Sequence, residues 1–185
     1  VLSETIKQGM HKSLKCIDCH QDAEDLPHTA NLQPVTCNNQ CHVDAQEKFA
    51  RSIHAKALNQ HDPNAPTCAS CHGTHDILPP DHRDSLTYPL NIIKVCSDCH
   101  QMHNPSKENE WDPGRHMSSY LESTHGEALV DSGLIAAATC ADCHGNHEVL
   151  KSDQPESKVY HENIPNTCGE CHQGIVETYQ QSIHG

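Results

Sequence analysis

The chain has 185 residues, a formal net charge of −13 and 3% aromatic residues, and Leu, Ile, Val and Phe together fill only 31 positions. So few large apolar side chains cannot build an ordinary core, and the acidic balance argues against nucleic acid as a partner, because a phosphate backbone needs clustered Lys and Arg. Against that stand 12 Cys and 18 His, so disulfides, metal ions or a covalent cofactor must supply the order.

Along the chain, the start Val1-Leu2-Ser3 lacks a charged region followed by an apolar one, so any signal peptide is read as already removed. His11 stands in Gly9-Met-His11-Lys-Ser-Leu14, ahead of Cys16-Ile-Asp-Cys19-His20. The acidic stretch Asp22, Glu24, Asp25 reads as a solvated face. His28 follows, and Asn31-Leu32 leads into Cys37-Asn-Asn-Gln-Cys41-His42. The spacing predicts a helix over 43–58, with Val43, Gln46, Phe49 or Ala50, Ile53 and Ala57 on one face. That helix carries the string Ser52-Ile-His54-Ala-Lys-Ala-Leu58. Next come Cys68-Ala-Ser-Cys71-His72-Gly-Thr-His75-Asp-Ile-Leu78, a polar linker over 79–90, Asn91-Ile92 and Cys96-Ser-Asp-Cys99-His100. Residues 101–117, with Pro105, Trp111, Pro113 and Gly114, read as an inserted polar loop. A helix is predicted over 117–130, carrying Ser123-Thr-His125-Gly-Glu-Ala-Leu129. The best apolar run, 133–139, is seven residues of mostly Ala, far short of the 18 or more of a membrane span. Cys140-Ala-Asp-Cys143-His144-Gly-Asn-His147-Glu-Val-Leu150 follows, then a second polar linker over 151–163, Asn163-Ile164 and Cys168-Gly-Glu-Cys171-His172. A last predicted helix over 172–184 ends in Ser182-Ile-His184-Gly185, and strand signal is scarce throughout.

The cysteines thus form six pairs, each followed by a His. Five read C-x-x-C-H, the attachment signature of a c-type haem. Two thioethers fix the vinyl-derived arms of the porphyrin, and the next residue, His, ligates iron from the proximal side. Zinc ribbons pair two C-x-x-C knuckles about one ion and need no adjacent His each time. A disulfide framework would repeat neither the gap nor the His. The extra residue between Cys37 and Cys41 lengthens the loop, and haem is expected there too. Six haem c are therefore expected, on Cys16, Cys19, Cys37, Cys41, Cys68, Cys71, Cys96, Cys99, Cys140, Cys143, Cys168 and Cys171. Their proximal iron ligands are His20, His42, His72, His100, His144 and His172.

With six motifs spread over its whole length, the chain resembles the multihaem c-type cytochromes. Its haem density is also similar to that of extracellular, filament-forming cytochromes. The resemblance implies one hexahaem domain over 1–185: mostly irregular coil with a few short α-helices wrapped around stacked haems, and almost no β-sheet. Trp111 is then expected to cover a haem edge. The recurring strings divide the chain into three two-haem units, about 1–50, 51–117 and 118–185, each running His, C-x-x-C-H, His, C-x-x-C-H. This offers six distal ligands: His11, His28, His54, His75, His125 and His147. His103 and His161 are reserves, His61, His82 and His116 read as spare, and His184 begins a fourth unit that these residues do not complete. The ligands are expected to cross between haems. His54 lies twelve residues beyond His42, about 18 Å along a helix, too far to share its iron. His72 and His75 sit side by side on one helical face and cannot clamp one iron from opposite sides.

None of Met10, Met102 and Met117 recurs in the repeat, so bis-histidine iron is expected, six-coordinate and without a position for substrate. The function expected is electron transfer through six closely packed haems, in the periplasm or at the cell exterior, with no catalysis. The rival reading is a multihaem oxidoreductase of the nitrite, hydroxylamine or tetrathionate type, which keeps one iron open, often through a Lys in place of the motif His. All six motifs here end in His. A piece of a longer multihaem cytochrome is a third reading. Expected partners are redox proteins presenting Lys or Arg, or extracellular electron acceptors, and a further copy joined head to tail through His184, which would ligate its haem.

Overall fold

The computed structural model describes residues 6–28, 31–37, 41–100 and 113–185. Among them 47% are helical and none lies in a strand. The expected near-absence of β-sheet holds, while helix is more plentiful than the three segments read from the sequence. Three single-turn helices are cysteine motifs: α1 (Cys16–Cys19), α4 (Cys68–His72) and α8 (Cys140–His144). The longer elements are α2 (Val43–Arg51), α3 (Ile53–Asn59), α5 (Pro89–His100), α6 (Pro113–Leu121), α9 (Ile164–Gly169) and α10 (Gln173–Gln180). The short α7 (Thr124–Gly126) runs on into a π turn, Glu127–Asp131.

Two predicted helices are each divided by the same device. The helix read over 43–58 breaks at Ser52, which is extended, fully buried, and accepts the Ala55 N–H on its Oγ at 3.0 Å. The helix read over 117–130 starts earlier, at Pro113, and restarts where Ser123 Oγ accepts the Gly126 N–H at 3.2 Å. In both, a helix N-cap sets the histidine two residues on, His54 or His125, in the first turn of a new helix. A helical period alone does not see a serine that serves the backbone better as a cap than as an interior residue. The last helix stops at Gln180, short of position 184.

The molecule is built on a translational repeat of 72 residues, from Cys68–His100 to Cys140–His172. The polar linkers share its hydrogen bonds. Asn91 Nδ2 donates to the carbonyls of Arg83 and Ser85, both at 2.8 Å. Asn163 Nδ2 donates to those of Pro155 at 2.7 Å and Ser157 at 2.8 Å. Ser85 and Ser157 are both buried. A second repeated contact joins successive units. The Met10 N–H donates to the Ile77 carbonyl at 2.8 Å, and the Ile53 N–H to the Val149 carbonyl at 2.9 Å. The residue before a leading histidine, 11 or 54, is thus docked two residues beyond a post-motif histidine, 75 or 147, of the following unit. Gly9 permits the first of these: a Cβ there would lie 2.8 Å from the Ile77 oxygen.

The apolar core is small. Only Ala55, Ile93, Leu129, Ala137 and Leu150 are buried hydrophobics among the described residues. Ile93, Leu129 and Ala137 form one cluster, joined by Ile92, Met117, Tyr120, Ala128 and Cys140. The accessible surface is 13571 Å², against about 9,000 Å² for a compact protein of this mass. The described residues close over no core beyond that cluster.

Candidate haem-iron sites

The cysteine motifs start helices because the residue between the cysteines caps its own turn. Asp18 Oδ2 accepts the Lys15 N–H at 2.8 Å, Ser70 Oγ the Thr67 N–H at 3.0 Å, and Asp142 Oδ2 the Thr139 N–H at 2.7 Å. The glycines after His72 and His144 stop two of these turns at φ +81° and +82°, a region that side chains avoid. Cys96, Cys99 and His100 instead close the long helix α5, and Cys168 and Cys171 straddle the end of α9. Residues 38–40 lie outside the described residues, while Cys37, Cys41 and His42 lie within them. All twelve cysteines are unpaired thiols.

Five of the six motif histidines face a second histidine. His42 faces His11 with ring centres 6.0 Å apart, His20 faces His75 at 6.1 Å, and His100 faces His54 at 6.3 Å. His72 faces His147 at 5.9 Å and His172 faces His125 at 5.8 Å. Each pair joins one motif histidine to one outside the motifs. Metal–nitrogen bonds of about 2.0–2.1 Å, with about 1.1 Å more to each ring centre, put two imidazoles on opposite sides of one metal about 6.3 Å apart; a tetrahedral angle brings them to about 5.1 Å. The observed range of 5.8–6.3 Å lies nearer the opposed arrangement. The planes of His20 and His75 differ by 22° and those of His72 and His147 by 19°. Their separation is well beyond the roughly 3.5–4.0 Å of stacked contact. Among the described residues no group of three or more His, Cys, Asp or Glu is placed to hold a metal ion. The donors on offer among the described residues are facing histidine pairs.

The facing histidine comes in each case from elsewhere in the chain. His54 is not set against His42, nor His75 against His72. His75 and His147 each reach back to the first motif of the preceding unit, so the pairs bind unit to unit. His144 has no such ring partner among the described residues; His116, read from the sequence as spare, acts on it only through its charge. Burial lowers the His144 pKa first, and the His116 charge lowers it next. Helix α6, which carries His116, is fixed to this motif by Tyr120, whose hydroxyl donates to the Ala138 carbonyl at 2.9 Å and whose ring shares a cluster with Cys140. No copy of His116 exists elsewhere in the chain, so the repeat gave no signal for it. The other histidines lie apart. His161 packs on Tyr160 at 4.3 Å, His82 Nδ1 accepts the Asp84 N–H at 3.2 Å, and His61 turns the chain after α3 at φ 60°. His28 is exposed and is not among the rings facing a motif histidine. His184 is exposed, and its N–H donates to Ser182 Oγ at 3.2 Å. His103 and Trp111 lie outside the described residues.

Electrostatics add the order of the sites. Burial raises the Cys37 pKa, followed by Cys68 and Cys19. Burial also raises the Cys71 thiol, with Cys99 contributing. A hydrogen bond to Cys140 and then burial push Cys96 up, and burial followed by Cys168 raises Cys143. Thiols of successive motifs are therefore neighbours, from the first to the sixth, in chain order. Burial likewise lowers the pKa of His54, His72 and His100, which favours the neutral imidazole that binds metal. His20 Nδ1 is buried without a hydrogen-bond partner, an orphan that a group beyond the polypeptide would satisfy. Paired thiols, an adjacent imidazole and an opposed imidazole are the donor set that a covalently attached haem requires, and the residues present fit it.

No family model, no curated protein and no solved structure matches this chain.

Proposed function

We propose that the chain is an electron carrier in which six covalently attached c-type haems form a row that follows the sequence. The observation that supports this most directly is the five histidine pairs with ring centres 5.8–6.3 Å apart, each joining a motif histidine to one outside the motifs. Haem held between two imidazoles supplies one-electron redox chemistry and offers no position to a substrate. The polypeptide does the rest. Each cysteine pair, about one helical turn apart, would hold one haem through thioethers. Its adjacent histidine would ligate from one side and the opposed histidine from the other. His75 and His147, reaching back across unit boundaries, hold neighbouring sites close. The caps at Asp18, Ser70 and Asp142 fix the motif turns, and Ser52 and Ser123 fix His54 and His125.

The net charge of −13 suits a partner presenting Lys or Arg, meeting the chain over a small, transient interface. That partner is a redox protein or an extracellular acceptor, in the periplasm or at the cell exterior, where haem is attached covalently. His184, exposed beside Ser182, is the residue through which copies would join head to tail. Among the described residues no helix is long and apolar enough to cross a membrane.

The test is to produce the chain with haem-attachment machinery, count haem by pyridine haemochrome and intact mass, and record the ferric electron paramagnetic resonance spectrum. Six haems, with low-spin ferric iron dominating, are expected. Zinc in stoichiometric amount, or a spectrum dominated by high-spin iron, overturns the proposal.

A further inference from the structure

The five facing histidine pairs have two geometries. At the first and third motifs the imidazole planes are nearly aligned, 22° apart for His20 and His75 and 19° for His72 and His147. At the second, fourth and sixth they are rotated, by 82° for His11 and His42, 49° for His54 and His100, and 43° for His125 and His172. The division follows the backbone that carries each histidine from outside the motifs. His75 and His147 stand two residues past Gly73 and Gly145, whose φ is +81° and +82°. Two residues further on, the Ile77 and Val149 carbonyls accept the Met10 and Ile53 N–H groups at 2.8 and 2.9 Å. His54 and His125 stand instead in the first turn of a helix, behind the Ser52 and Ser123 caps. His11 has a third setting, a turn in which its carbonyl accepts the Leu14 N–H at 2.9 Å. The first two settings each recur with nearly the same angle.

Axial ligands set the potential of a haem iron, and the orientation of an imidazole enters through its π electrons. These reach only the iron d orbital that lies across the ring plane. Two aligned rings raise the same orbital, and the single hole of low-spin ferric iron takes that orbital, which stabilises the ferric state and lowers the potential. Crossed rings raise two orbitals alike and leave the hole shared between them, so the potential is higher. The same difference marks the ferric electron paramagnetic resonance spectrum. Aligned pairs give a rhombic signal, and crossed pairs a signal dominated by one large g value.

We propose that the chain builds two kinds of redox site in alternation. Sites one and three, with aligned rings, have the lower potentials. Sites two, four and six, with rotated rings, have the higher ones, site two above all. An electron moving along the row rests on the rotated sites and crosses the aligned ones in transit. The inference rests on the haem reading above. A redox-protein partner supplies the electron. Each hop oxidises one ferrous site and reduces its ferric neighbour by one electron, with no ligand or proton exchanged.

Haem is counted first. Fewer than six haems, or dominant high-spin iron, overturns the haem reading and this inference with it. Holoprotein with six low-spin haems is then poised at a series of potentials with dithionite and redox mediators, and its electron paramagnetic resonance spectrum is recorded at each. A large-g signal and a rhombic signal are both expected, and the large-g signal is expected to disappear first on reduction. His11→Ala is expected to remove large-g intensity and keep the rhombic signal, whereas His75→Ala removes rhombic intensity and keeps the large-g signal. A single rhombic class in the six-haem protein overturns this inference alone. So does loss of the rhombic signal first or of both together, or the reverse assignment of the two variants. Where a variant takes up fewer haems than its lost ligand accounts for, the titration of the unaltered protein decides by itself.

Discussion

Gly73 and Gly145 follow the third and fifth motif histidines, and both stand at positive φ with nearly extended ψ, −170° and 165°. This combination is open to glycine almost alone, and another residue held there costs about 1–3 kcal/mol. Space is also short. A Cβ on Gly145 would lie 3.1 Å from the Glu148 carbonyl oxygen, in the segment that carries His147 towards His72. Gly145→Ala is therefore expected to lower the unfolding temperature of the holoprotein by several degrees, on the scale of about 2–4 °C per kcal/mol for a chain of this size. Gly174→Ala is the control. It lies in helix α10 with nothing within 4 Å of its Cβ position, so the exchange is expected to be neutral or stabilising by up to about 1 kcal/mol. Thermal melts followed at a haem absorption band compare the two. Equal losses would remove the argument from backbone conformation.

At the scale of elements, the proposed haem sites take their second ligands across units. His75 is three residues beyond His72 in the chain, yet it faces His20. His75→Ala should therefore expose iron at the first site and not at the third. Two further variants locate the change. With Cys16 and Cys19 also replaced by Ala, the high-spin signal created by His75→Ala should vanish, since its haem is no longer attached. With Cys68 and Cys71 replaced instead, the signal should persist. The opposite pattern would place His75 on the third site and break the unit-to-unit scheme. Part of this was legible in the sequence. The cysteine motifs, the Ser-x-His and His-Gly-x-His strings, and the rule that His42 and His54 cannot share an iron all follow from spacing. What the sequence left open has physical causes. Ser52 and Ser123 divide their helices because a serine that caps gains a backbone hydrogen bond, whereas helical period counts only apolar faces. The polar linkers gave no sign that Ser85 and Ser157 are buried, or that the lead-in residues Asn91 and Asn163 bond to the backbone, because composition shows polarity and not partners. The charge of His116 beside His144 was unreadable because a histidine without a repeat copy looks like any surface histidine.

For the whole molecule the question is what replaces a core. Among the described residues, five buried hydrophobics, of which Leu129 alone is a large side chain with no exposed area, leave little apolar burial to offset chain entropy. Ion pairs do not close the gap. Arg51 holds Glu148 with Nε–Oε1 at 2.6 Å and Nη2–Oε2 at 2.8 Å, linking α2 to the segment after His147, but both side chains are open to water and screened by salt. Large apolar residues, meanwhile, stay exposed along the chain, from Leu14, Ile17 and Val43 to Leu134, Ile135 and Ile164. Opposed histidines and paired thiols recur along that same length, so the bonds that would hold haem are spread over every unit. Folding and haem attachment should then be one event, as in small metal domains that are unfolded without their ion. The chain made without haem-attachment machinery, with its thiols kept reduced, is expected to show little helix by circular dichroism and no cooperative heat-absorption peak on calorimetry. The haem-loaded chain should show both. A haem-free chain that melts cooperatively near the temperature of the loaded one would mean that the polypeptide organises itself, and that the histidine pairs are a consequence of the fold and not its cause.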